Sequence, residues 1–304
     1  MSFSSELKKE LCGLETELCC SHAMTYALFI YGHKFDYTGI TLQTESGTVA
    51  QTAAERLAIH TGIFVEVRTP LTQRGTVRIH TVSVEESQRD EVLHAFGHSR
   101  KNIGRKVNFA NLHNPCCGPA FIRGAFLACG TISDPERSYH LEFNVPNRAL
   151  ADGLELLFDQ MGMHPGRTER KGAQVIYFKS GDDIIALLTV LGAVRSAERI
   201  REIRERKERR NAVNRRTNFD TANIDKTISA SAGQIEAILR VKNSAQWSEL
   251  PEALRELAEL RLAHPEYSLR ELGEGLTVPV SRSGVNHRLT KLVAMAAGDE
   301  TGEK

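Results

Sequence analysis

Apolar residues recur every three or four positions in three successive segments near the C-terminus, and this spacing places them on one face of a helix. The members are Leu250, Leu254 and Leu257, then Leu269, Leu272 and Leu276, then Val285, Leu289, Leu292 and Ala296. His264-Pro265 ends the first segment, and Pro279 cannot continue the second helix. The pattern predicts three helices joined by short turns, the arrangement of a helix-turn-helix domain.

Polar residues mark where the second and third of these helices begin. Ser268 stands three residues before Glu271, which is the spacing of a capping box. Ser281 can cap a third helix that starts at Arg282 and runs to about residue 296. The expected scaffold of the helix-turn-helix consists of Ser268, Leu269, Leu272, Val285 and Leu289.

The outer face of the third helix is polar and basic. At about 100° per residue it gathers Ser283, Asn286, His287, Thr290 and Lys291, with Arg282 and Arg288 at its flanks. Asparagine can read adenine, arginine and lysine can bind guanine or phosphate, and serine and threonine can bind either. The sequence from 281 to 295 contains no acid. This face is typical of a recognition helix in the major groove; the alternative is a solvated helix of an ordinary bundle.

The first two thirds of the chain contain an internal repeat. Residues 26–32 align with residues 124–130 at an offset of 98, and a Cys pair precedes each copy. In the first copy the pattern predicts strands over 36–44, 63–68 and 76–83 and helices over 51–61 and 85–96. In the second it predicts a strand over 138–145, a helix over 147–161, a hairpin of 164–171 with 175–179 across Lys171-Gly172, and a helix over 182–191. Both copies fit α-β-β-α-β-β-α, which indicates two fused copies of an α+β domain.

The segment Ile122-Arg123-Gly124-Ala125-Phe126-Leu127-Ala128-Cys129-Gly130 resembles the namesake helix of the LAGLIDADG homing-endonuclease family. The resemblance implies paired helices packed through small residues, here Ala27, Gly124, Ala125 and Ala128. It also implies an acid before the last glycine, where it binds the catalytic metal. Tyr31 and Cys129 occupy those positions and carry no carboxylate, and Asp36 and Asp134 are expected to be turn residues. We therefore expect a degenerate module without nuclease activity and without a catalytic metal.

The 304 residues carry 39 Lys and Arg against 38 Asp and Glu, a net charge of +1 that conceals strong segregation. Residues 195–216 hold 10 basic and 4 acidic residues, net +6, whereas residues 249–274 hold 3 and 7, net −4. Local basic elements of this kind indicate focused contact with phosphate, although an exposed helix with i,i+4 ion pairs gives the same count. We expect a repeat domain over 1–192 (copies about 1–98 and 112–192), a basic helical linker over 193–226 and a helix-turn-helix domain over 227–304.

Composition places the chain among globular proteins, with 41% apolar and 25% charged residues. The longest nearly unbroken apolar run, 184–194, is too short to span a bilayer, and charge enters too early at the N-terminus for a signal peptide. We expect a cytoplasmic protein associated with the nucleoid and not with a membrane. The six cysteines include no CxxC, so free thiols are favoured over a zinc or redox site, and no cofactor is expected.

Over essentially its full length the chain resembles the WhiA family, bacterial transcription regulators of sporulation and cell division. The matching segments are residues 2–6, the two units of a Cys pair and a helix, residues 121–127, 139–142 and 211–226, and Ser281-Arg282-Ser283-Gly284-Val285-Asn286-His287-Arg288-Leu289. Arg282 departs from the family, which usually has lysine there. The resemblance implies a LAGLIDADG-like domain without nuclease activity and a helix-turn-helix similar to region 4 of sigma factors. It further implies double-stranded promoter DNA as partner, with a WhiB-type iron–sulfur regulator or RNA polymerase as protein partner.

These patterns predict a non-enzymatic, sequence-specific DNA-binding regulator. The expected DNA-binding residues are Arg282, Ser283, Asn286, His287, Arg288 and Lys291, with Arg215 and Arg216 adding contacts to the DNA backbone. Two alternatives are an active metal-dependent LAGLIDADG-type endonuclease and a protein-interaction adaptor whose basic tail is only solvated.

Overall fold

A computed structural model describes residues 2–69, 78–100 and 104–298. The chain divides into two compact units, Met1–Lys207 and Glu208–Lys304, and each has a hydrophobic core of its own. One long helix, Val194–Lys242, runs through the point of division. The first unit thus extends past Gly192 into the segment predicted as a linker. None of the helices described is long and apolar enough to cross a membrane.

The first unit contains two copies of one α+β arrangement. The first copy consists of α1 (Phe3–Cys12), α2 (Leu18–Ile30), β1 (Lys34–Asp36), β2 (Gly39–Thr44), α3 (Gly47–Thr61), β3 (Val67–Arg68), β4 (His80–Ser83) and α4 (Arg89–Ala95). The second consists of α5 (Cys117–Cys129), β5 (Gly130–Ile132), β6 (Leu141–Val145), α6 (Arg148–Gln160), β7 (Gly166–Arg170), β8 (Ala173–Phe178) and α7 (Gly181–Val190). The strands form two antiparallel sheets of order β1-β2-β4-β3 and β5-β6-β8-β7. The matching strand order confirms the predicted repeat.

The strands of the first copy differ from the prediction. The segment 36–44 is not one strand: it holds the last residue of β1, a turn and β2. The turn forms because the Asp36 carboxylate accepts the backbone N–H of Thr38 at 2.7 Å and of Gly39 at 3.2 Å. Of 63–68 only Val67–Arg68 pairs, and β4 starts at His80, while residues 76 and 77 lie outside the described residues. The segment 85–96 opens with a 3-10 turn, Glu86–Gln88, before α4.

The second copy agrees more closely. Asn147 caps α6 by accepting the backbone N–H of Leu150 at 2.9 Å, and the β7–β8 hairpin turns at Lys171-Gly172 as predicted. Both turn residues have positive φ, which suits a tight hairpin. Strand β5 was not predicted, and β6 begins at Leu141 instead of residue 138.

Helices α2 and α5 pack against each other at the centre of the first unit. A Cβ atom on Gly124 would lie 2.2 Å from the Met24 carbonyl oxygen and 2.8 Å from the Ala27 Cβ. Only glycine permits this approach, and Ala27 and Ala125 are fully buried in the same contact. Small residues therefore serve close packing here, as the motif predicts.

The second unit is helical. It contains the C-terminal part of α8 (Val194–Lys242), then α9 (Gln246–Glu249), α10 (Glu252–Ala263), α11 (Leu269–Glu274) and α12 (Arg282–Gly298). The predicted capping box is present: Ser268 Oγ accepts the Glu271 N–H at 3.3 Å, and the Glu271 carboxylate accepts the Ser268 N–H at 2.7 Å. Together with the two-sheet first unit, this confirms the predicted fold class.

Candidate nucleic-acid interface

The inner face of α12 holds this helix against the rest of the second unit. Val285, Leu289, Leu292 and Ala296 are at most 2% exposed and join α10 and α11 in one core. Leu272 is buried in the same core, and Leu269 packs against it. Because one side of α12 is fully committed to packing, the orientation of its opposite side is fixed.

The turn before α12 closes tightly on α11. The backbone N–H of Val280 donates to the Gly273 carbonyl at 3.0 Å, and a Cβ on Gly273 would lie 2.2 Å from the Val280 oxygen. Ser281 Oγ then accepts the Gly284 N–H at 3.3 Å, so Ser281 caps α12 as predicted. We did not identify Gly273 from the sequence, although a glycine inside a short helix is a signal for close backbone approach.

The outer face of α12 is open to solvent. Its exposed residues are Arg282, Ser283, Asn286, His287, Thr290 and Lys291. Thr290 Oγ1 donates to the Asn286 carbonyl at 2.9 Å, and the Ser281 and Ser283 hydroxyls lie 3.0 Å apart. The hydroxyls are thus partly satisfied locally, whereas the Asn286 amide and the Lys291 ammonium make no hydrogen bond or ion pair with the described part of the chain. The helix therefore presents amide and ammonium donors on one ordered surface.

Arg288 differs from these residues because it lies at the edge of the face. It is only half-exposed, and its Nη1 is 3.5 Å from the Ala253 carbonyl on α10. The backbone N–H of Thr277 donates to Glu256 at 2.6 Å and lowers the pKa of that carboxyl, and the Arg288 charge acts in the same direction. Arg288 is thus partly engaged with the scaffold.

The basic residues of α8 fall into two groups. Most of those up to Lys207 contact other elements of the first unit: Arg199 pairs with Glu6, Arg204 with Asp182 and Arg206 with Glu136, and Lys207 donates to the Pro135 carbonyl at 2.7 Å. Arg215 and Arg216 belong to the second unit and are exposed. Much of the +6 charge of this segment is therefore already paired.

Arg261 adds to the charge of its segment but is not available at the surface. It lies in the acidic segment 249–274, is 2% exposed, and donates from Nη1 to the Tyr267 carbonyl at 2.7 Å. This buried guanidinium donates a hydrogen bond to the backbone just after its own helix and so stabilises the turn between α10 and α11. Arg261 therefore has a structural role.

Comparison with known proteins follows this division of the chain. Residues 213–296 match the family model of the WhiA C-terminal HTH domain, and residues 118–210 match that of the WhiA LAGLIDADG-like domain. A protein of Alkaliphilus metalliredigens (strain QYMF) named probable cell division protein WhiA is 36% identical over 97% of this chain and 98% of its own length. A protein of the same name from Alkaliphilus oremlandii (strain OhILAs) is 35% identical over 100% and 99% of the two chains.

The chain belongs to the WhiA family. Full-length WhiA from Thermatoga maritima, known from a crystal structure, matches with a TM-score of 0.56 and 25% identity over 98% of both chains. A WhiA-type helix-turn-helix supports DNA binding by the second unit.

The LAGLIDADG-like unit of this WhiA chain has a phenol and a thiol where an endonuclease of this type needs carboxylates. Tyr31 is buried at the end of α2 and donates its hydroxyl to the Leu150 carbonyl at 2.9 Å. Cys129 donates from Sγ to the Ala125 carbonyl at 3.2 Å, and burial raises its pKa to about 12. Asp36 and Asp134 hold turns, since Asp134 accepts the Glu136 N–H at 2.9 Å.

Cationic side chains lie at the same helix ends. Arg105 donates to the carbonyls of Ile30 and Gly32 at 2.7 and 2.6 Å, where α2 ends. Lys8 donates from Nζ to the Leu127 carbonyl at 3.3 Å, in the last turn of α5. A cation at a helix C-terminus is stabilised by the carbonyls there, but it repels a divalent metal ion. These residues do not fit the catalytic metal of the endonucleases, and sequence reasoning identified neither Arg105 nor Lys8.

Proposed function

We propose that this chain is a sequence-specific DNA-binding transcription regulator that acts at promoters in bacterial cell division or sporulation and does not cleave DNA. The observation that carries the proposal is the ordered, exposed and acid-free outer face of α12. The name of the relatives, probable cell division protein WhiA, supports the cellular process.

In the proposed complex, the N-terminal half of α12 enters the major groove. Asn286 is suited to adenine, since its amide can donate and accept in one plane, and Arg282 is suited to guanine. Ser283 and His287 lie beside them, and Lys291 and Arg288 are placed for phosphate. Arg215 and Arg216, exposed on α8, add contacts with the DNA backbone.

The charges at the ends of α2 and α5 support the proposed absence of cleavage. Phosphodiester hydrolysis by this kind of enzyme needs carboxylates that hold divalent cations beside the scissile phosphate. Tyr31 and Cys129 provide none, and Arg105 and Lys8 place positive charge there. In this proposal the first unit serves as an interface, either for further DNA or for a protein partner such as a WhiB-type regulator or RNA polymerase. The protein would then act in the cytoplasm, at the nucleoid.

The direct test is to recover the chromosomal fragments bound in cells by immunoprecipitation and to footprint the strongest site with purified protein. We expect a short protected segment whose affinity greatly exceeds that of a scrambled sequence. Weak affinity that is equal for all sequences would contradict the proposal and would favour the protein-interaction adaptor.

The endonuclease alternative has its own test. Plasmid carrying the footprinted site is incubated with the protein and Mg²⁺ or Mn²⁺, with boiled protein as the control. We expect the supercoiled form to persist in both reactions. Reproducible nicking or linearisation above the boiled control would refute the absence of nuclease activity.

A further inference from the structure

Four cysteines from the two repeats meet at the N-terminal ends of α2 and α5. The sulfur atoms of Cys19, Cys20, Cys116 and Cys117 all lie within 4.8 Å of one another, and Cys19 Sγ is 3.9 Å from Cys116 Sγ. All four are free thiols. Each adjacent pair alone is a poor chelator, but the pairing of α2 with α5 joins two such pairs into a set of four sulfur ligands.

The spacing of these sulfurs fits a single tetrahedral metal ion. A Zn–S bond of ~2.3 Å in a regular tetrahedron places neighbouring sulfurs ~3.8 Å apart. The Cys19–Cys116 distance of 3.9 Å is close to this value, and the other pairs lie within 4.8 Å, about 1 Å from it. An iron–sulfur cluster would hold the cysteine sulfurs further apart, since several iron atoms lie between them. The arrangement therefore favours a mononuclear ion that prefers thiolate.

The surroundings can stabilise the negative charge of four thiolates around a divalent ion. Cys116 occupies the N-cap position of α5, and Cys19 and Cys20 lie in the first turn of α2, so the cluster lies at two positive helix ends. Arg123 is 9% exposed, interacts with the charge of Cys20, and has an Nη1 atom with no hydrogen-bond partner among the described residues. A buried cation next to the thiols offsets part of the charge that metal binding would create.

The surroundings shift the pKa of several of these thiols. Burial and the neighbouring Cys116 raise the pKa of Cys20 to about 12, and burial raises that of Cys117, whereas the Asn114 side chain lowers that of Cys19. A metal ion replaces the protons of all four and removes the repulsion between neighbouring thiolates. Cys116 is exposed and Cys19 half-buried, so an ion can reach the cluster from solvent.

We propose that Cys19, Cys20, Cys116 and Cys117 bind one thiophilic divalent metal ion, preferentially zinc, which joins the two repeats at the N-terminal ends of α2 and α5. This site lies at the opposite helix ends from Tyr31 and Cys129, so it is unrelated to the catalytic metal of endonucleases. Its role is structural, because four protein sulfurs leave no open coordination position for a substrate.

The test uses the full-length protein, reduced, freed of metal with a chelator, and titrated with Co²⁺ under exclusion of oxygen. We expect one cobalt per chain, with thiolate-to-cobalt charge-transfer bands and the visible bands of a tetrahedral site, all abolished by adding one equivalent of Zn²⁺. Cys19→Ser and Cys116→Ser should each lose part of the charge-transfer intensity. Cys12→Ser and Cys129→Ser, which alter cysteines outside the cluster, should retain the complete spectrum.

Absence of the charge-transfer bands in the unaltered protein would overturn the proposal, whatever the variants do. So would bands that survive unchanged in Cys19→Ser and Cys116→Ser. A second measurement needs no variant: in the native protein zinc should protect Cys19 and Cys116, the two thiols of the cluster that solvent reaches, from alkylation as followed by peptide mapping. Equal alkylation with and without zinc, or recovery of a Cys19–Cys116 disulfide that forms as readily in the presence of zinc, would refute the site.

Discussion

Two groups of basic residues, those of α8 up to Lys207 and those of α12, contribute positive charge in the same way to a count over the sequence. They differ in what their side chains contact. In the first group Arg199 and Arg206 are bound to Glu6 and Glu136 of the first unit. In the second, Arg282 and Lys291 are exposed on a face whose sequence contains no acid. The density of positive charge is higher in the first group, yet the second is better suited to phosphate and bases. The pairing of charges, not their number, thus distinguishes basic residues that hold the fold from basic residues that stay exposed on a helix face.

The largest expected effect comes from removing the buried anchor of α12. Leu289→Ala should lower the free energy of unfolding of the second unit by about 2–5 kcal/mol, since Leu289 is 1% exposed, and should abolish specific DNA binding with it. Trp247, the single tryptophan, packs against this core, so denaturation followed by its fluorescence reports the unit directly. Val293→Ala, at a half-exposed position of the same helix, should change stability by less than about 0.5 kcal/mol. Equal effects of the two variants would contradict the packing described for α12.

A smaller effect is expected where α8 begins. Glu10 accepts the backbone N–H groups of Arg195 and Ser196 at 2.9 and 3.1 Å and caps the helix from α1. Glu10→Ala should destabilise the first unit by about 1–2 kcal/mol while leaving DNA affinity unchanged. Faster hydrogen exchange of the amides of residues 195–200 would measure this destabilisation. Glu198→Ala, which removes an exposed i,i+3 pair with Arg201, is the matched control and should change little.

The stability of the first unit should depend on pH through His60. Burial, with the charges of His22 and Arg56, lowers the pKa of His60 to about 4, and His60 Nε2 lies 2.9 Å from Ser21 Oγ. A lowered histidine pKa means that its contribution to stability is present above ~6.5, the value in the unfolded chain, and is lost as pH falls towards 4. Thermal unfolding of the first unit should therefore be less sensitive to pH between 6.5 and 4 in His60→Gln than in the unaltered protein. The same slope in both proteins would refute this assignment.

Local patterns in the sequence were sufficient for most of the helix-turn-helix. The capping box at Ser268, the inner face of α12 and its exposed outer face follow from spacing alone, because neighbours on a helix are three or four residues apart. Asp36 was expected to be a turn residue, and the structure confirms it. The strand predicted over 36–44 nevertheless included this turn, because the aromatic residues around Asp36 continue the pattern of a strand.

Contacts between distant residues could not be predicted in the same way. Arg206 meets Glu136 and Arg105 meets the end of α2 only because the fold brings together segments about 70 residues apart. The sequence shows the four cysteines as two pairs before equivalent helices. The short distances between their sulfur atoms depend on the packing of α2 against α5, which is close at Gly124. The DNA-binding residues themselves remain predictions, because contacts inside the protein do not show which side chains touch a DNA base.

The central claim is tested most directly by one comparison of affinities for the footprinted site, measured by fluorescence anisotropy at fixed salt concentration. Asn286→Ala should weaken specific binding by ~1–3 kcal/mol, about 5- to 150-fold, because it removes a base contact in the groove. Arg199→Ala removes a positive charge that is already paired with Glu6 and should leave the affinity unchanged. Unaltered affinity of Asn286→Ala, or a greater loss in Arg199→Ala, would contradict the assignment of α12 as the helix that reads DNA.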